Sequence, residues 1–197
     1  MSKRIEPRAP SVDALYALQL PTNSRADQPG TLVAPPVAPS QPARFTHRLQ
    51  PTWGDSDPAR MIYTGRYPDF ALRAIDAWML AHVGVDFYAM NMDWGIGTPF
   101  VHLECDFRSP ATPRDVLLIA VHVEKVGQSS LAFRVAATIE ADGRLCFEGR
   151  FVCVCVDGAT QSQQGARPMP LDPRIRAAAE AACAGGPPAC ARTSTSG

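Results

Sequence analysis

Three consecutive alternating segments constrain the fold of this chain most. In residues 115–125, 130–140 and 144–156, apolar side chains occupy every second position, which is typical of strands with one buried face. The Asp-Gly pair at 142–143 predicts a hairpin turn between the last two segments, and a Gly-containing turn is expected between the first two. The sequence therefore predicts a meander of three antiparallel strands, with earlier strands placed beside it.

The residues before this meander predict one long amphipathic helix. From about Arg66 to Val83, apolar side chains recur at spacings of three and four, which gives a helix one broad apolar face. Pro68 is acceptable only in the first turn, Gly84 fits the stop position, and Thr64 is a possible N-cap. One long helix with a largely antiparallel sheet predicts an α+β fold.

Shorter elements complete the prediction. Strands are expected over residues 45–53 and 99–107, with a loop at 85–97 after the long helix. Near the C-terminus, an Asp-Pro pair predicts a short Ala-rich helix over about residues 172–183, because Asp is a favoured N-cap and Pro a favoured first helical residue.

Composition predicts one domain between two tails. Residues 1–43 contain eight prolines and too few apolar residues to offset the entropy of ordering, so we expect a flexible arm. The domain is predicted over residues 44–158. A linker, the short helix and a flexible tail are expected over 159–197.

Charge and cysteine usage limit the partners. Lys+Arg and Asp+Glu number 19 each, so no electrostatic argument favours nucleic acid or an anionic membrane. No apolar run approaches the roughly 20 residues of a membrane span, and no signal peptide is expected. The six cysteines lack zinc-site spacing. We expect them to be reduced, which predicts a cytoplasmic location.

One loop carries the candidate chemistry. Asp57 lies a few residues before the predicted start of the long helix, where helices expose unpaired N–H groups and partial positive charge. A carboxylate facing such N–H groups can attack a carbonyl or activate water, while the N–H groups hold the oxygen that becomes negative. The spacing alone also fits an Asp that caps a turn.

The residues around Asp57 resemble the signature of hotdog-fold acyl-CoA thioesterases, in particular the 4-hydroxybenzoyl-CoA thioesterase-like family. The matching positions are Gly54, Asp55, Asp57, Ile62, Tyr63 and Tyr67. A second block, Phe107-Arg-Ser-Pro-Ala-Thr-Pro-Arg-Asp-Val-Leu117, resembles that family's [FY]-x-x-P-A-x-x-x-D-x-L. Gly97-Thr98-Pro99 is similar to a run in some aromatic-acyl members. The resemblance covers about residues 45–157.

This resemblance implies a single hotdog domain that hydrolyses an acyl-CoA thioester to a free acid and CoA. It assigns the catalytic role to Asp57, as nucleophile or general base, with the backbone N–H groups near Thr64 and Gly65 polarising the carbonyl. Substrate contacts are expected from Tyr63, Thr98 and Arg60. The expected CoA contacts are Ser129, Lys125, Gln128, Ser130 and Arg108. No metal or redox cofactor is implied, since CoA enters as part of the substrate.

The resemblance also implies homodimers with sites at the subunit interface, and often homotetramers. Apolar residues on the second face of the predicted sheet, such as Val152 and Val154, independently predict a partner subunit.

Two residues depart from the family pattern. Arg60 stands where the family usually has Gly, which there allows a positive-φ turn; a non-Gly residue would find that turn costly by roughly 1 kcal/mol. Thr64 stands where members carry Tyr, His or Asn.

The sequence leaves functional alternatives open. A hotdog dimer could bind or sense acyl-CoA without cleaving it. The presence of Asp57 favours an enzyme, whereas Arg60 in place of the usual Gly is compatible with a protein that only binds acyl-CoA. A hotdog hydratase or dehydratase would be expected to carry a different motif, in which His follows the Asp by five residues. Ile62 occupies that position here, which argues against this alternative. The sequence does not rank aromatic against short aliphatic acyl groups.

Overall fold

The structure, a computed structural model, describes residues 45–158 and 167–184. The predicted arm over residues 1–43 and the tail after the last helix lie outside these residues. The domain boundaries therefore stay predictions.

The strands of the described residues are β1 (Phe45–Leu49), β2 (Ile96–Gly97), β3 (Phe100–Phe107), β4 (Leu117–Val126), β5 (Ser130–Ile139), β6 (Leu145–Val154) and β7 (Val156–Asp157). Five of these strands form one antiparallel sheet in the order β1-β4-β5-β6-β3. The predicted meander is confirmed as β4-β5-β6, with β1 placed beside β4 and β3 beside β6. β2 and β7 form a separate two-stranded sheet.

In the part of the chain that the structure describes, three α-helices accompany the strands: α1 (Arg66–Val83), α2 (Phe87–Trp94) and α3 (Pro173–Ala184). The core lies between α1 and one face of the large sheet. From α1, Phe70 and Trp78 are buried, and from the strands, Ile119, Phe133 and Phe151 are buried. The Trp78 and Phe133 rings meet edge to face with centroids 5.5 Å apart. Alternate residues of the meander therefore cover one side of α1, as the α+β prediction requires.

The bounds of α1 match the prediction, and Gly84 ends the helix in the left-handed region at φ 84°. The N-cap prediction was wrong by one residue. Gly65, not Thr64, occupies the N-cap position, and no side chain caps the helix there. A glycine cap leaves the first turn without the hydroxyl acceptor that Thr64 would have provided.

The expectation of a loop over residues 85–97 was wrong, because α2 and β2 lie within it. The Asp86 carboxylate accepts a hydrogen bond from the Ala89 N–H at 2.7 Å, which caps the start of α2. Gly95 ends α2 at φ 64°, and Met90 is fully buried. One buried residue in two turns gives only a weak helical pattern, so capping and packing decide this segment.

The predicted C-terminal helix is confirmed as α3. Asp172 precedes its first residue and accepts the Arg174 N–H at 2.9 Å. The residues that pack α3 onto the domain recur every four positions and are Leu171, Ile175, Ala179 and Cys183. α3 contacts β4 and α1, so it contributes to the same core as the sheet.

The prediction of reduced cysteines is wrong at one position. Cys105, Cys146, Cys153 and Cys155 carry free thiols, but Cys183 is disulfide-bonded.

Among the described helices, none is both long and apolar enough to span a membrane.

Candidate active site

A tight loop connects β1 to α1; we call residues 56–65 the site loop. It begins after a 3-10 turn at Trp53–Asp55. An isolated antiparallel bridge between Ser56 and Ile62 brings its two sides together. Between them, the Asp57 N–H donates to the Met61 carbonyl and the Arg60 N–H donates to the Asp57 carbonyl, both at 2.9 Å. Asp57 is thus held at the base of a turn whose two sides are bonded to each other.

Arg60 lies at the tip of this turn with φ 63°. Among the described residues it is the one non-glycine residue with positive φ. The position demands the left-handed conformation that glycine adopts without cost, which matches the expectation from the family pattern. Its side chain is exposed.

The Asp57 carboxylate is oriented by one of its two oxygens. Its Oδ1 accepts a hydrogen bond from the Ala59 N–H at 2.8 Å, and the residue is half-buried. Within residues 45–158 and 167–184, no hydrogen bond to Oδ2 is present. One oxygen therefore fixes the group while the other stays available to a substrate or a water.

Some of the backbone N–H groups of residues 62–67 donate hydrogen bonds to protein acceptors, and others do not. The used donors are Ile62 to the Ala111 carbonyl, Tyr63 to Asp55, Arg66 to Tyr63 and Tyr67 to Thr64, at 2.8–3.3 Å. Across the described parts of the chain, the N–H groups of Thr64 and Gly65 donate to no protein acceptor. These two neighbouring groups at the start of α1 can therefore bind an oxygen that carries negative charge.

The lack of a side chain at Gly65 leaves room for a close neighbour. A Cβ at residue 65 would lie 2.6 Å from Cε1 of Tyr63, well inside van der Waals contact. The Tyr63 ring thus lies against the start of α1, and 58% of Tyr63 is exposed.

Asp55 is buried beside the site loop, and its carboxylate contacts residues on both sides of that loop. Its Oδ2 accepts from both the N–H and the hydroxyl of Thr52 at 2.7 Å, and its Oδ1 lies 3.4 Å from Nε of Arg66. Burial raises the pKa of the Asp55 carboxyl, but the bonds from Thr52 and the charges of Arg66 and Arg73 outweigh burial and hold that pKa below its ordinary value. Asp55 therefore remains ionised at neutral pH.

Tyr67 anchors the first turn of α1 to the segment before β4. Its hydroxyl accepts the Ala111 N–H at 3.3 Å, and its ring packs on Phe107 and Phe147. Burial raises the pKa of Tyr67 to about 12, so the phenol stays protonated at neutral pH. These contacts indicate a structural role for Tyr67 rather than that of a base.

The other expected site residues lie in three parts of the fold. Arg108 follows β3 near the site loop, where its guanidinium lies 3.1 Å from Asp106 and 2.8 Å from Glu148. Thr98 lies half-buried in the connection between β2 and β3. Gln128 and Ser129 lie in the turn between β4 and β5, and Lys125 and Ser130 flank that turn in the two strands.

This turn lies at the opposite end of the sheet from the site loop. The strand register links Leu131 beside the turn to Cys153, whereas Phe107 near the site loop pairs with Phe147. Phe147 and Cys153 are six residues apart on β6, or roughly 20 Å at the usual rise of a strand. Within one protomer the structure therefore places Arg108 near the expected catalytic groups, but not Lys125, Gln128, Ser129 and Ser130.

One residue beside the turn was missed from the sequence. Nη2 of Arg176, on α3, donates to the Gly127 and Gln128 carbonyls at 3.0 Å each. The four-residue periodicity of α3 predicts that it packs, but no local pattern shows which turn its polar residues reach. In the described ranges, no group of three or more His, Cys, Asp or Glu residues is arranged to hold a metal ion.

A long helix packed on an antiparallel sheet, with a carboxylate loop before the helix, defines this chain as a hotdog-fold protein of the thioesterase type. The family model of the thioesterase-like superfamily matches residues 51–179. The chain belongs to that superfamily.

Solved structures agree with this assignment. A thioesterase-superfamily protein from Jannaschia sp. CCS1 is 38% identical, with a TM-score of 0.65 over 74% of this chain and 97% of that one. A 1,4-dihydroxy-2-naphthoyl-CoA thioesterase from Synechocystis is 19% identical, with a TM-score of 0.62 over 70% and 96% of the two chains. A variant 4-hydroxybenzoyl-CoA thioesterase complexed with 4-hydroxybenzoyl-CoA is 21% identical, with a TM-score of 0.59 over 68% and 97%. The last two support the fold alone, and the comparison with curated proteins gave no match.

Proposed function

We propose that this protein hydrolyses an acyl-CoA thioester to a free acid and CoA. Asp57 attacks the thioester carbonyl or activates the water that does so, and the N–H groups of Thr64 and Gly65 stabilise the negative oxygen. Water supplies the new C–O bond, the C–S bond breaks, and CoA leaves as the thiol. In this proposal the reaction uses no metal or redox cofactor.

The observation that carries this proposal is the pattern of used and unused groups in the site loop. Neighbouring backbone donors are bonded to protein acceptors, while one oxygen of Asp57 and the two N–H groups of Thr64 and Gly65 are not, among the described residues. A carboxylate that acts on a thioester needs such an available oxygen, and the negative oxygen that forms needs such donors. The superfamily membership supports the same reaction class.

Substrate contacts are proposed next to these groups. The exposed Tyr63 ring lies against the start of α1 and can cover one side of the acyl group. Arg60 extends from the adjacent turn. Thr98 precedes the Phe100 end of β3, away from the site loop of its own protomer, and is proposed as a further contact that the partner subunit supplies. The nature of the acyl group, aromatic or aliphatic, is a question for substrate profiling.

A homodimer would complete the site. β3 is at the edge of the sheet and exposes Val101, Leu103 and Phe107 by 62%, 49% and 49%, which is a surface suited to pairing with another strand. In a two-fold antiparallel pairing of β3 with its copy, the Phe107 end of one strand lies beside the Phe100 end of the other.

That pairing would bring the partner's turn between β4 and β5 to this protomer's site loop. Phe100 pairs with Cys153, which pairs with Leu131 beside the turn, so the partner's turn lies at the Phe107 end. We propose that this turn, with Lys125, Gln128, Ser129 and Ser130, binds CoA for the opposite subunit, together with Arg108. A cytoplasmic location is proposed from the free thiols of Cys105, Cys146, Cys153 and Cys155 and is tested by cell fractionation.

Replacement of Asp57 tests the proposed reaction. Release of free thiol from a panel of aryl- and short-chain acyl-CoAs is measured for the wild type and for Asp57→Asn, which can still accept the Ala59 N–H bond. We expect wild-type activity to fall by about 10²–10⁴-fold in the variant. Asp93→Asn, which changes an exposed carboxylate on α2, is the matched control and should retain activity.

The same panel separates the enzyme from a binding protein. Wild-type protein that binds acyl-CoA by calorimetry but cleaves none of the panel would favour the acyl-CoA-sensing alternative. Equal rates for Asp57→Asn and the wild type would contradict the role of Asp57, even if hydrolysis occurs.

A further inference from the structure

Asp55 is the one buried charged side chain among the described residues, with 7% of its surface exposed. A buried carboxylate is stable only when hydrogen bonds and opposite charge compensate its lost hydration. Thr52 supplies two hydrogen bonds and Arg66 supplies the charge. Thr52 and Asp55 precede the site loop and Arg66 directly follows it, so the carboxylate connects both ends of the loop.

The backbone of Asp55 adds a third connection. Its carbonyl accepts the Tyr63 N–H at 2.8 Å, and the Ala111 carbonyl accepts the neighbouring Ile62 N–H at 2.8 Å. These bonds fix the residues immediately before Thr64 and Gly65. The direction in which those two N–H groups point is therefore set by the segment that Asp55 holds.

A second motif in the same chain shows which part of this arrangement is special. Asp115 accepts from the N–H and hydroxyl of Thr112 at 2.7 and 2.9 Å, and its own N–H donates to the Thr112 carbonyl at 3.0 Å. Thr52 and Asp55 form the same Thr-x-x-Asp arrangement. Among the described residues, however, Asp115 forms no ion pair, whereas Asp55 is linked to the first residue of α1.

We propose that Asp55 is a positioning residue that fixes the Asp57 carboxylate relative to the N–H groups of Thr64 and Gly65. Its carboxylate links the segment before the site loop to Arg66, so the loop cannot shift along the start of α1 without breaking this link. This inference rests on the proposed hydrolysis, since it assigns Asp55 a purpose within that site. Asp55 itself does not contact the substrate.

Three variants test the proposal: Asp55→Asn, Arg66→Gln and, as the matched control, Asp115→Asn. Asn in place of Asp55 keeps a similar shape but loses the charge and one acceptor. We expect kcat to fall about 10- to 100-fold for Asp55→Asn, because small displacements of reacting groups carry penalties of that size. KM should change by less than about threefold, the signature of an interaction felt mainly in the transition state.

Arg66→Gln removes the same link from an exposed side chain and should lower kcat in the same way without unfolding the protein. It therefore carries the test if Asp55→Asn does not fold. Asp115→Asn should leave kcat within about threefold of the wild type. A kcat that falls equally in Asp115→Asn, or that stays unchanged in both Asp55→Asn and Arg66→Gln, would overturn the proposal.

Amide hydrogen exchange of residues 56–66 gives a readout that does not depend on activity. We expect faster exchange in Asp55→Asn and Arg66→Gln than in the wild type or Asp115→Asn. If the wild type cleaves no thioester, the proposed function fails while exchange still decides whether Asp55 holds the loop. If amide exchange is unchanged in Asp55→Asn and Arg66→Gln, Asp55 does not hold the site loop, even if the enzyme is active.

Discussion

Arg60 shows how a single backbone angle bears on both stability and function. It adopts φ 63° in the turn that contains Asp57, a conformation that costs an L-residue roughly 1–2 kcal/mol. Strain of this kind is retained where the surrounding structure or the function of the residue requires it. The exposed Arg60 side chain therefore remains a proposed substrate contact.

Arg60→Gly should stabilise the protein by about 0.5–1 kcal/mol. Relief of the left-handed strain is the larger effect, and the greater freedom of glycine in the unfolded chain offsets part of it. Urea denaturation measures the difference.

Arg114→Gly is the control for Arg60→Gly. Arg114 is also an exposed arginine in a turn, but its φ is not positive, so we expect a loss of about 0.5–1 kcal/mol. If Arg60→Gly lowers the free energy of unfolding as much as Arg114→Gly does, the proposed backbone strain at Arg60 is contradicted. A raised KM with unchanged kcat in Arg60→Gly would support the substrate contact.

At the scale of elements, α3 is part of the hydrophobic core rather than an appendage. Ile175 is fully buried, so Ile175→Val should destabilise the protein by about 0.5–1.5 kcal/mol and Ile175→Ala by about 2–5 kcal/mol. The two values come from chemical denaturation followed by tryptophan fluorescence. Changes below about 0.3 kcal/mol for both variants would mean that α3 contributes little to the packed domain.

Periodicity predicted the elements that bury a full face, and failed where single contacts decide. α1 and the meander were predicted because many apolar residues repeat on one side. α2 was missed because its hydrophobic pattern is weak and its limits depend on Asp86 and Gly95. The shift of the N-cap from Thr64 to Gly65 has a similar origin, since the bonds of the site loop to Asp55 and Ala111 set where α1 begins.

The candidate site was predictable only in part for the same reason. The position of Asp57 before α1 follows from local sequence, and the special turn at Arg60 follows from the resemblance to the family pattern, which usually has Gly there. The ion pair of Asp55 with Arg66 and the bonds of Arg176 to the turn before β5 join segments whose approach only tertiary structure determines.

For the whole molecule, the proposed dimer makes completion of the site depend on the edge strand β3. Leu103→Lys places a charge in the exposed apolar row of β3, and charged residues oppose edge pairing. We expect the wild type to sediment as a dimer, or as a tetramer of two dimers. The variant should sediment as a monomer with little thioesterase activity, because each proposed site uses two subunits.

Leu80→Lys is the control for the edge prediction, because it places the same charge at an exposed leucine on α1. This variant should keep the wild-type assembly and activity. A Leu103→Lys protein that remains dimeric would show that subunits associate through another surface, and a fully active monomer would refute the shared site.

The late position of α3 in the chain also has a consequence for biosynthesis. Arg176 is 49 residues beyond Gly127, whose carbonyl it binds, and Ile175 completes a core that α1 and the sheet begin. A nascent polypeptide that has not yet emerged beyond α3 exposes the apolar surface that this helix later covers. Translation must therefore proceed beyond α3 before the domain can close, and chaperone protection is needed most during that interval.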